Sequence, residues 1–367
     1  MMQNFHIKED AENNDARRRK KSKKLLKELT HGAVPRGALQ VVAVSNTAAL
    51  EDLNNGSKRD VKRIKLISED EPCLKVTLEK IYQKALKTKK SEEELNERLL
   101  YVAEYRQDVW KYLLELERNQ NYPKPQYMLK QTEICWRTRA ILVDWFASVT
   151  EEYSLSNETF QLSVNYVDRV LSKLNVVRTK FQLVGVAAMS LAGKMEEISP
   201  IDVQEWTYLA GDAFTSNQIL KMERLVARVL KCNMRPPTIT SFIEHFCVEH
   251  SLNSKTTHLA LYLSDLVLLE GEEYLNVLPS KLAASCIALA RYTLAETRPW
   301  PKKFQEQFGY TVQQLSPVLK KQQKTFRDRP AKEQKAIQTK YVGEKYDKVA
   351  LLKPRSCLNF EEFAGEE

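Results

Sequence analysis

The stretch Arg139-Ala-Ile-Leu-Val-Asp-Trp145 places charged residues inside a run that is otherwise apolar and has the period of a helix. Further along the chain, Asp168, Lys194 and Glu223 also stand within apolar helical runs. A buried ion is costly unless it is paired or offered to a partner. We therefore expect these residues, with Asp144, either to hold one arrangement of helices or to bind another molecule.

Length and composition favour a helical protein with a sizeable core. The 367 residues allow about two or three domains. Hydrophobic residues make up 43% of the chain and aromatic residues 9%, which excludes a wholly disordered protein. Only 10 glycines occur, and long runs are rich in Leu, Ala, Lys and Glu, so we expect helix rather than sheet.

The formal charge of +9 is concentrated at the two ends of the chain. One basic block spans residues 17–24, and a second lies between Lys320 and Arg355. Charge of this kind in a tail is typically solvated and mobile. It is weak evidence for a nucleic-acid groove, and we expect no nucleic-acid partner.

The cysteines and the apolar stretches indicate a soluble protein that is not secreted. Six cysteines are widely spaced without a Cys-x-x-Cys pair, which predicts reduced and mostly buried thiols. The N-terminus has no apolar signal core. The longest apolar stretches, 183–192 and 259–263, are too short to span a bilayer, so we expect no membrane partner.

The chain divides into a tail, a helical lead-in, two helical domains and an extension. Residues 1–75 have the composition of a disordered tail. In the lead-in, residues 76–135, the capping box Ser91-Glu-Glu-Glu94 opens a helix that Tyr122-Pro-Lys-Pro125 ends. Domains at 136–234 and 235–330 follow, with a basic C-terminal extension at 331–367.

Apolar periodicity and helix caps predict five helices in each of the two domains. The first five span 136–153, 157–171, 179–197, 200–209 and 215–230, and the second five span 238–249, 253–270, 279–296, 301–308 and 311–327. Thr215-Ser-Asn-Gln218 has the form of a capping box. Ser199 followed by Pro200 is interpreted as an N-cap with proline at the first helical position.

The third helix of each set is rich in small residues. Gly185, Ala187 and Ala188 stand in one, and Ala283 and Ala284 in the other. Because little side-chain bulk lets neighbours approach on several sides, each of these helices is expected at the centre of a bundle. The pattern predicts an all-α, duplicated fold.

Several motifs in order resemble the cyclin box. They are Arg139-Ala-Ile-Leu-Val-Asp-Trp145, Asn157-Glu-Thr159, Val164-Asn-Tyr-Val-Asp-Arg169, Phe181-Gln-Leu-Val-Gly185 and Lys194-Met-Glu-Glu197. The second and third are more similar to A-type than to B-type cyclins. The resemblance runs from about residue 105 to 346, and it implies a duplicated cyclin fold.

The resemblance implies a regulatory subunit of a cyclin-dependent kinase rather than an enzyme. The five signature positions of the family fall on Arg139, Asp168, Leu183, Lys194 and Glu223. In the family, the first two form an internal ion pair, and the last two bind backbone groups of the kinase's regulatory helix. Further kinase contacts are implied at Met195, Cys232, Met234, Val109 and Tyr112.

The resemblance also implies a docking patch for Arg-x-Leu-type substrate or inhibitor peptides. It would consist of Thr138, Ile141, Leu142, Trp145, Phe181 and Gln182. Thr138, Phe181 and Ser148 depart from the family pattern, Ser148 standing where an acidic residue normally meets the peptide's arginine. Since the α-helical spacing also fits core packing, that alternative stays open.

The tail carries two candidate signals. Arg36, Leu39 and Asn46 match the destruction box of mitotic cyclins in its longer A-type spacing, which implies recognition by ubiquitin ligase machinery. The basic block is a candidate nuclear-localisation signal, and it consists of Arg17, Arg18, Arg19, Lys20, Lys21, Lys23 and Lys24. We expect a nuclear protein that is also present in the cytoplasm.

No motif for catalysis, phosphate binding or a cofactor occurs, and we expect no cofactor. His245, Cys247 and His250 do not share a helix face, so no metal site is expected. Two alternatives stay open: a helical nucleic-acid-associated factor, since general transcription factors share this fold, and a B-type or divergent cyclin with a different kinase.

Overall fold

The structure is a computed structural model that describes residues 105–119 and 122–364. The basic block at 17–24 and the segment 36–46 lie outside the described residues. So do the first part of the lead-in at 76–104, with its capping box at 91–94, residues 120–121 and the last three residues of the extension.

The described residues form α-helices and short 3₁₀ turns, without strands. The helices are α1 (Arg106–Asn119), α2 (Trp136–Glu152), α3 (Asn157–Leu171), α4 (Arg178–Glu196), α5 (Val203–Leu209), α6 (Ser216–Val229), α7 (Ile239–Glu249), α8 (Ser254–Glu270), α9 (Pro279–Thr293), α10 (Lys302–Phe308), α11 (Val312–Asp328), α12 (Ala336–Lys340) and α13 (Glu361–Ala364). In this part of the chain, no helix is long and apolar enough to cross a membrane.

Several helices begin at a polar N-cap residue. Thr215 and Gln218 form the reciprocal capping box that the sequence predicts for α6. The prediction for α5 is wrong, because the helix begins at Val203 and the Asp202 side chain accepts from the Gln204 amide. A carboxylate at the N-cap accepts a hydrogen bond from an otherwise unpaired backbone amide. Asp202, and not Ser199, is therefore the N-cap of α5.

Helices α2–α6 form a first bundle and α7–α11 a second bundle. More than half of the residues in each of the small-residue helices α4 and α9 are buried, as expected for the centre of each bundle. A β-carbon on Gly185 of α4 would lie 2.5 Å from Leu142 Cδ1, so α2 and α4 approach closely here and a larger residue would have to displace the Leu142 side chain. The all-α, duplicated architecture is confirmed for the described residues.

Helix α1 packs against the second bundle. The Trp110 ring lies edge-on to Phe308 with the ring centroids 4.8 Å apart. Both oxygens of buried Glu117 accept hydrogen bonds at 2.7 Å from Ser280, one from its amide and one from its hydroxyl. Glu117 therefore caps α9, whose own N-cap residue, Leu278, offers no polar side chain.

The basic C-terminal extension is not a mobile tail in the described residues, and this corrects the expectation from charge. Helix α12 packs on α2, with Ile337 and Tyr341 almost fully buried. Asp144 Oδ1 accepts from the Ala336 amide at 2.9 Å. Apolar residues between the lysines account for the difference, because their burial holds the segment while Lys332, Lys335 and Lys345 face water.

The expectation that the cysteines are mostly buried is also wrong. Cys247 and Cys286 are buried, whereas Cys135, Cys232 and Cys357 are exposed, and all five are free thiols. Cys135 occupies the N-cap of α2, where hydrogen bonds from Thr138 lower the pKa of its thiol.

Candidate partner-binding site

Arg139 and Asp168 form a buried bidentate ion pair between α2 and α3. Arg139 Nε and Nη2 each donate to one Asp168 oxygen at 2.7 Å, and Arg139 is only 1% exposed. The Tyr127 hydroxyl donates to the same carboxylate at 2.7 Å. Because the charges lie in a fully hydrogen-bonded cluster, removal of one partner would leave an uncompensated buried ion.

The same guanidinium also joins the two bundles. Arg139 Nη1 donates to the Leu268 carbonyl at the end of α8 at 2.8 Å. Gly271 follows that helix with φ of +57°, and a β-carbon there would lie 2.6 Å from Arg139 Nη1. A larger residue at 271 would therefore collide with the ion pair.

A second buried network joins both bundles to the C-terminal extension. Asp265 of α8 is fully buried, and it accepts from Asn157 Nδ2 at 3.1 Å and from the Tyr341 hydroxyl at 2.9 Å. Lys340 Nζ lies 3.4 Å from Asp265 and donates to Asn157 Oδ1 at 2.7 Å. These contacts set the position of α3 relative to α8 and α12.

Lys194 and Glu223 meet at the surface of the first bundle. Lys194 stands in the last turn of α4 and Glu223 in the middle of α6, and the Lys194 ammonium donates to both carboxylate oxygens at 2.7 Å. The hydroxyl of Ser190, one turn earlier on α4, donates to the same carboxylate at 2.6 Å. The lysine side chain is 40% exposed and the glutamate side chain 8% exposed.

This geometry sets what the pair can do chemically. The carboxylate is already held by two residues, so it is fixed in place and retains limited capacity to accept a further bond. The ammonium faces water and has a third N–H available. The pair therefore offers a partly exposed donor beside a fixed, mostly buried acceptor at one point of the surface.

The loop after α6 lies close to the end of α4. Arg235 Nη2 donates to the Met195 carbonyl at 2.6 Å, next to Lys194. Within the predicted contact set, Cys232 is exposed, Met195 is half-buried and Met234 is buried at the edge of the core. An incoming partner would thus meet Cys232 directly and Met234 hardly at all.

Helix α1 presents the other two predicted contacts. Val109 and Tyr112 are exposed, whereas Trp110 and Glu117 of the same helix are buried against the second bundle. Within the described residues, no side chain covers Val109 and Tyr112.

The predicted docking patch is divided between surface and core. Leu142, Trp145 and Phe181 are buried, and Ile141 is 39% exposed. Gln182 is half-buried. The hydroxyl of Thr138 bonds the Cys135 backbone within the cap of α2. The six side chains therefore do not form one exposed hydrophobic groove, because Leu142, Trp145 and Phe181 are buried in the core.

Asp144 and Ser148, beside the patch, are both engaged locally. The Ser148 hydroxyl donates to the Asp144 carbonyl at 3.2 Å. Burial raises the pKa of Asp144 to about 6, although the bond from the Ala336 amide opposes that shift. This carboxylate serves as a cap for α12.

No group of three or more His, Cys, Asp and Glu side chains within 105–119 and 122–364 is placed to hold a metal ion. His245 instead stacks on Trp110 with the centroids 5.6 Å apart, and burial lowers the pKa of its ring.

Sequence reasoning missed residues that link distant segments of the chain. Tyr127, Asp265 and Lys340 carry no local signal, because each acts on a residue more than 40 positions away. Gly271 could have been found, since glycine directly after a helix is a common C-terminal signal.

Models of two known domains match most of the chain. The cyclin N-terminal domain matches residues 108–235, and the cyclin C-terminal domain matches residues 237–355. Together they cover α1 to the last 3₁₀ turn before α13.

Similar proteins are A-type cyclins. Cyclin-A2 of Bos taurus is 43% identical over 259 residues, which is 70% of this chain and 60% of that protein. Cyclin-A2 of Homo sapiens is 42% identical over 259 residues, again 70% and 60%. Cyclin-A1 of Carassius auratus is 44% identical over 267 residues, which is 73% of this chain and 68% of that protein. The match thus spans three fifths of the bovine and human relatives.

A solved structure has the same fold. The viral cyclin from herpesvirus saimiri aligns with a TM-score of 0.53 and 22% identity, over 59% of this chain and 96% of the viral chain. With two matching domain models and relatives above 40% identity, this chain belongs to the cyclin family and is most similar to its A-type members.

Proposed function

We propose that the protein is a non-catalytic regulatory subunit that binds and activates a cyclin-dependent protein kinase. Its surface would contact the kinase through Lys194 and Glu223, with Cys232, Met195 and Met234 beside them. Val109 and Tyr112 on α1 would contact the same kinase. The observation that carries the proposal is the pairing of Lys194 and Glu223 on adjoining helices of a rigid bundle.

The chemistry of the pair suits main-chain recognition. A peptide backbone presents one donor and one acceptor per residue, and the pair has an exposed ammonium next to a fixed carboxylate. Ser190 helps to fix the carboxylate before a partner arrives. A prearranged site loses less conformational entropy on binding.

Activation would follow from a population shift. A protein kinase is active when its strand lysine pairs with the glutamate of its regulatory helix and its activation loop is ordered. A partner that binds only this arrangement stabilises it by the difference between its affinities for the two states. The ion pair between α2 and α3 and the hydrogen bond from Arg139 to α8 keep the cyclin surface rigid, so the kinase is the partner that adapts.

The wider role follows from the A-type similarity and from the tail. We propose control of cell-cycle progression in S phase and at the G2–M transition, with turnover through Arg36, Leu39 and Asn46 by ubiquitin ligase machinery. The basic block at 17–24 would direct the protein to the nucleus. Ile141 and Gln182 would be the main contacts for Arg-x-Leu-type peptides, with Thr138 at the margin.

The test is a double substitution. Lys194→Ala with Glu223→Ala should abolish stimulation of histone kinase activity, while thermal unfolding shows that the fold is retained. The matched control is Lys348→Ala with Glu344→Ala, which removes an exposed pair of 2.9 Å elsewhere on the surface. Full stimulation by the first double variant would contradict the proposal.

A further inference from the structure

Three polar side chains form one stripe at the end of α3 and just after it, and they point at the end of α6. They are Tyr166 and Arg169, at positions i and i+3 of α3, and Lys173, two residues after the helix ends. Tyr166 and Arg169 are almost fully buried, and Lys173 is half-buried.

Each of the three donates to a backbone carbonyl at or after the end of α6. Lys173 Nζ donates to Val229 at 2.9 Å. Arg169 Nη1 donates to Asn233 at 3.0 Å. The Tyr166 hydroxyl donates to Met234. The stripe therefore ties the end of α6 and the loop at 230–234 to α3. This loop carries Cys232 and Met234.

The loop has a backbone conformation that needs such support. Lys231 and Cys232 are consecutive residues with φ of +56° and +55°, a region that residues other than glycine disfavour. Their amides donate back to α6, Lys231 to the Arg228 carbonyl at 3.0 Å and Cys232 to the Ala227 carbonyl at 2.9 Å. Without contacts from elsewhere, a loop of this kind would relax to other conformations.

Arg169 is costly to bury for stability alone. Its Nε and Nη2 have no hydrogen-bond partner within the described residues, and burial lowers the pKa of its guanidinium. An apolar side chain of similar volume would usually be as stable at such a place. Its Nη1 donates to Asn165 Oδ1 on the same helix at 3.3 Å and to the Asn233 carbonyl in the loop at 3.0 Å. The shorter of these two contacts points to a role in the loop's conformation.

We propose that Tyr166, Arg169 and Lys173 are positioning residues that hold the loop at 230–234 in its binding conformation. They fix Cys232 and Met234 relative to Glu223 on the preceding helix, before any partner binds. This inference rests on the proposed function, because it assigns the loop to the kinase-contacting surface. A loop that already has its binding conformation loses less conformational entropy when the partner binds. The complex is therefore tighter, and differences in affinity of this kind appear mostly as slower dissociation.

The test uses the full chain and a purified cyclin-dependent kinase catalytic subunit. In Lys173→Met, the side-chain length is kept and the donor is lost. We expect the kinase to dissociate about tenfold faster, the usual scale for one charge-assisted hydrogen bond. In the free protein, we expect the amides of residues 231–235 to exchange with deuterium faster. Lys130→Met, at an exposed lysine, is the matched control and should change neither quantity.

A second substitution separates positioning from simple loss of charge. Lys231→Gly relieves the backbone strain, because glycine adopts positive φ freely. It should restore part of the dissociation half-life that Lys173→Met loses. Arg169→Gln should also speed both dissociation and amide exchange, provided that it folds. If it does not fold, Lys173→Met, at a half-buried site, still decides the test.

The outcomes distinguish this inference from the proposed function. Unchanged amide exchange in Lys173→Met, faster exchange with an unchanged dissociation rate, or no rescue by Lys231→Gly would each overturn the positioning role. If the wild-type chain bound no kinase, the proposed function would fail and the positioning role with it, while amide exchange would still report whether the stripe orders the loop.

Discussion

Replacing Gly271 with alanine tests whether the Arg139 guanidinium is held rigidly between the bundles. Gly271 has φ of +57°, and a β-carbon there would lie 2.6 Å from Nη1 and 2.7 Å from Cζ of Arg139. The guanidinium cannot shift without breaking hydrogen bonds, because Asp168 accepts from its Nε and Nη2. The Leu268 carbonyl holds Nη1.

The expected loss of stability has two sources. The left-handed backbone conformation costs alanine about 1–2 kcal/mol. Displacing the guanidinium weakens a buried ion pair, and breaking such a pair costs about 3–5 kcal/mol. We therefore expect Gly271→Ala to lower the free energy of unfolding by about 4 kcal/mol or more.

A second glycine provides the matched control. Gly309 also has positive φ, +74°, but a β-carbon there would meet no atom within 4 Å. Gly309→Ala should therefore cost only about 1–2 kcal/mol, the backbone part of the loss. Urea unfolding followed by far-ultraviolet circular dichroism gives both values. Equal losses in the two variants would refute the argument that Arg139 is immobile.

Two further substitutions test the buried charges. Asp144→Asn keeps the oxygen that caps α12 but cannot ionise. In the wild type, burial raises the pKa of the Asp144 carboxyl from 3.8 to about 6. The protonated carboxyl therefore stabilises the fold at low pH, and about 1–3 kcal/mol of this stability is lost as the pH rises through 6. The variant should match the wild type at pH about 4 and exceed its melting temperature by a few degrees at pH about 8; a difference that does not change with pH would contradict this. Lys340→Met removes the cation beside Asp265 and should cost about 3–5 kcal/mol in urea unfolding, whereas a loss below about 1 kcal/mol would show that the uncharged donors satisfy the carboxylate.

Local sequence signals predicted the helices and their order. Thr215 and Gln218 lie three residues apart, so the capping box and the start of α6 follow from neighbouring residues alone. The same reasoning failed at α5, because Ser199 and Asp202 are both good caps and only the packing of the following residues selects Asp202.

Charge and cysteine composition were poorer guides. The lysines between 320 and 355 suggested a mobile tail, yet Ile337 and Tyr341 between them are buried, and the Tyr341 hydroxyl bonds Asp265 of the second bundle. The cysteines were expected to be buried as small apolar residues. Cys135 instead occupies a helix cap, where its sulfur accepts a hydrogen bond.

The candidate site was predictable through resemblance rather than through spacing. Lys194 and Glu223 are 29 residues apart, and no periodicity within one helix relates them. The motifs around them identified the pair, and the structure adds that the two side chains bond each other and Ser190.

From its sequence alone, this chain specifies where helices begin, which of their faces are apolar and which family they belong to, because those properties depend on residues within a few turns of one another. Tertiary structure decided which charges pair, which apolar side chains stay at the surface and how the extension packs. Arg139 meets Leu268 across 129 residues and Lys340 meets Asn157 across 183. Contacts at that separation depend on how whole helices pack, since burial and hydrogen bonding are satisfied by the assembled bundles and not by any one segment.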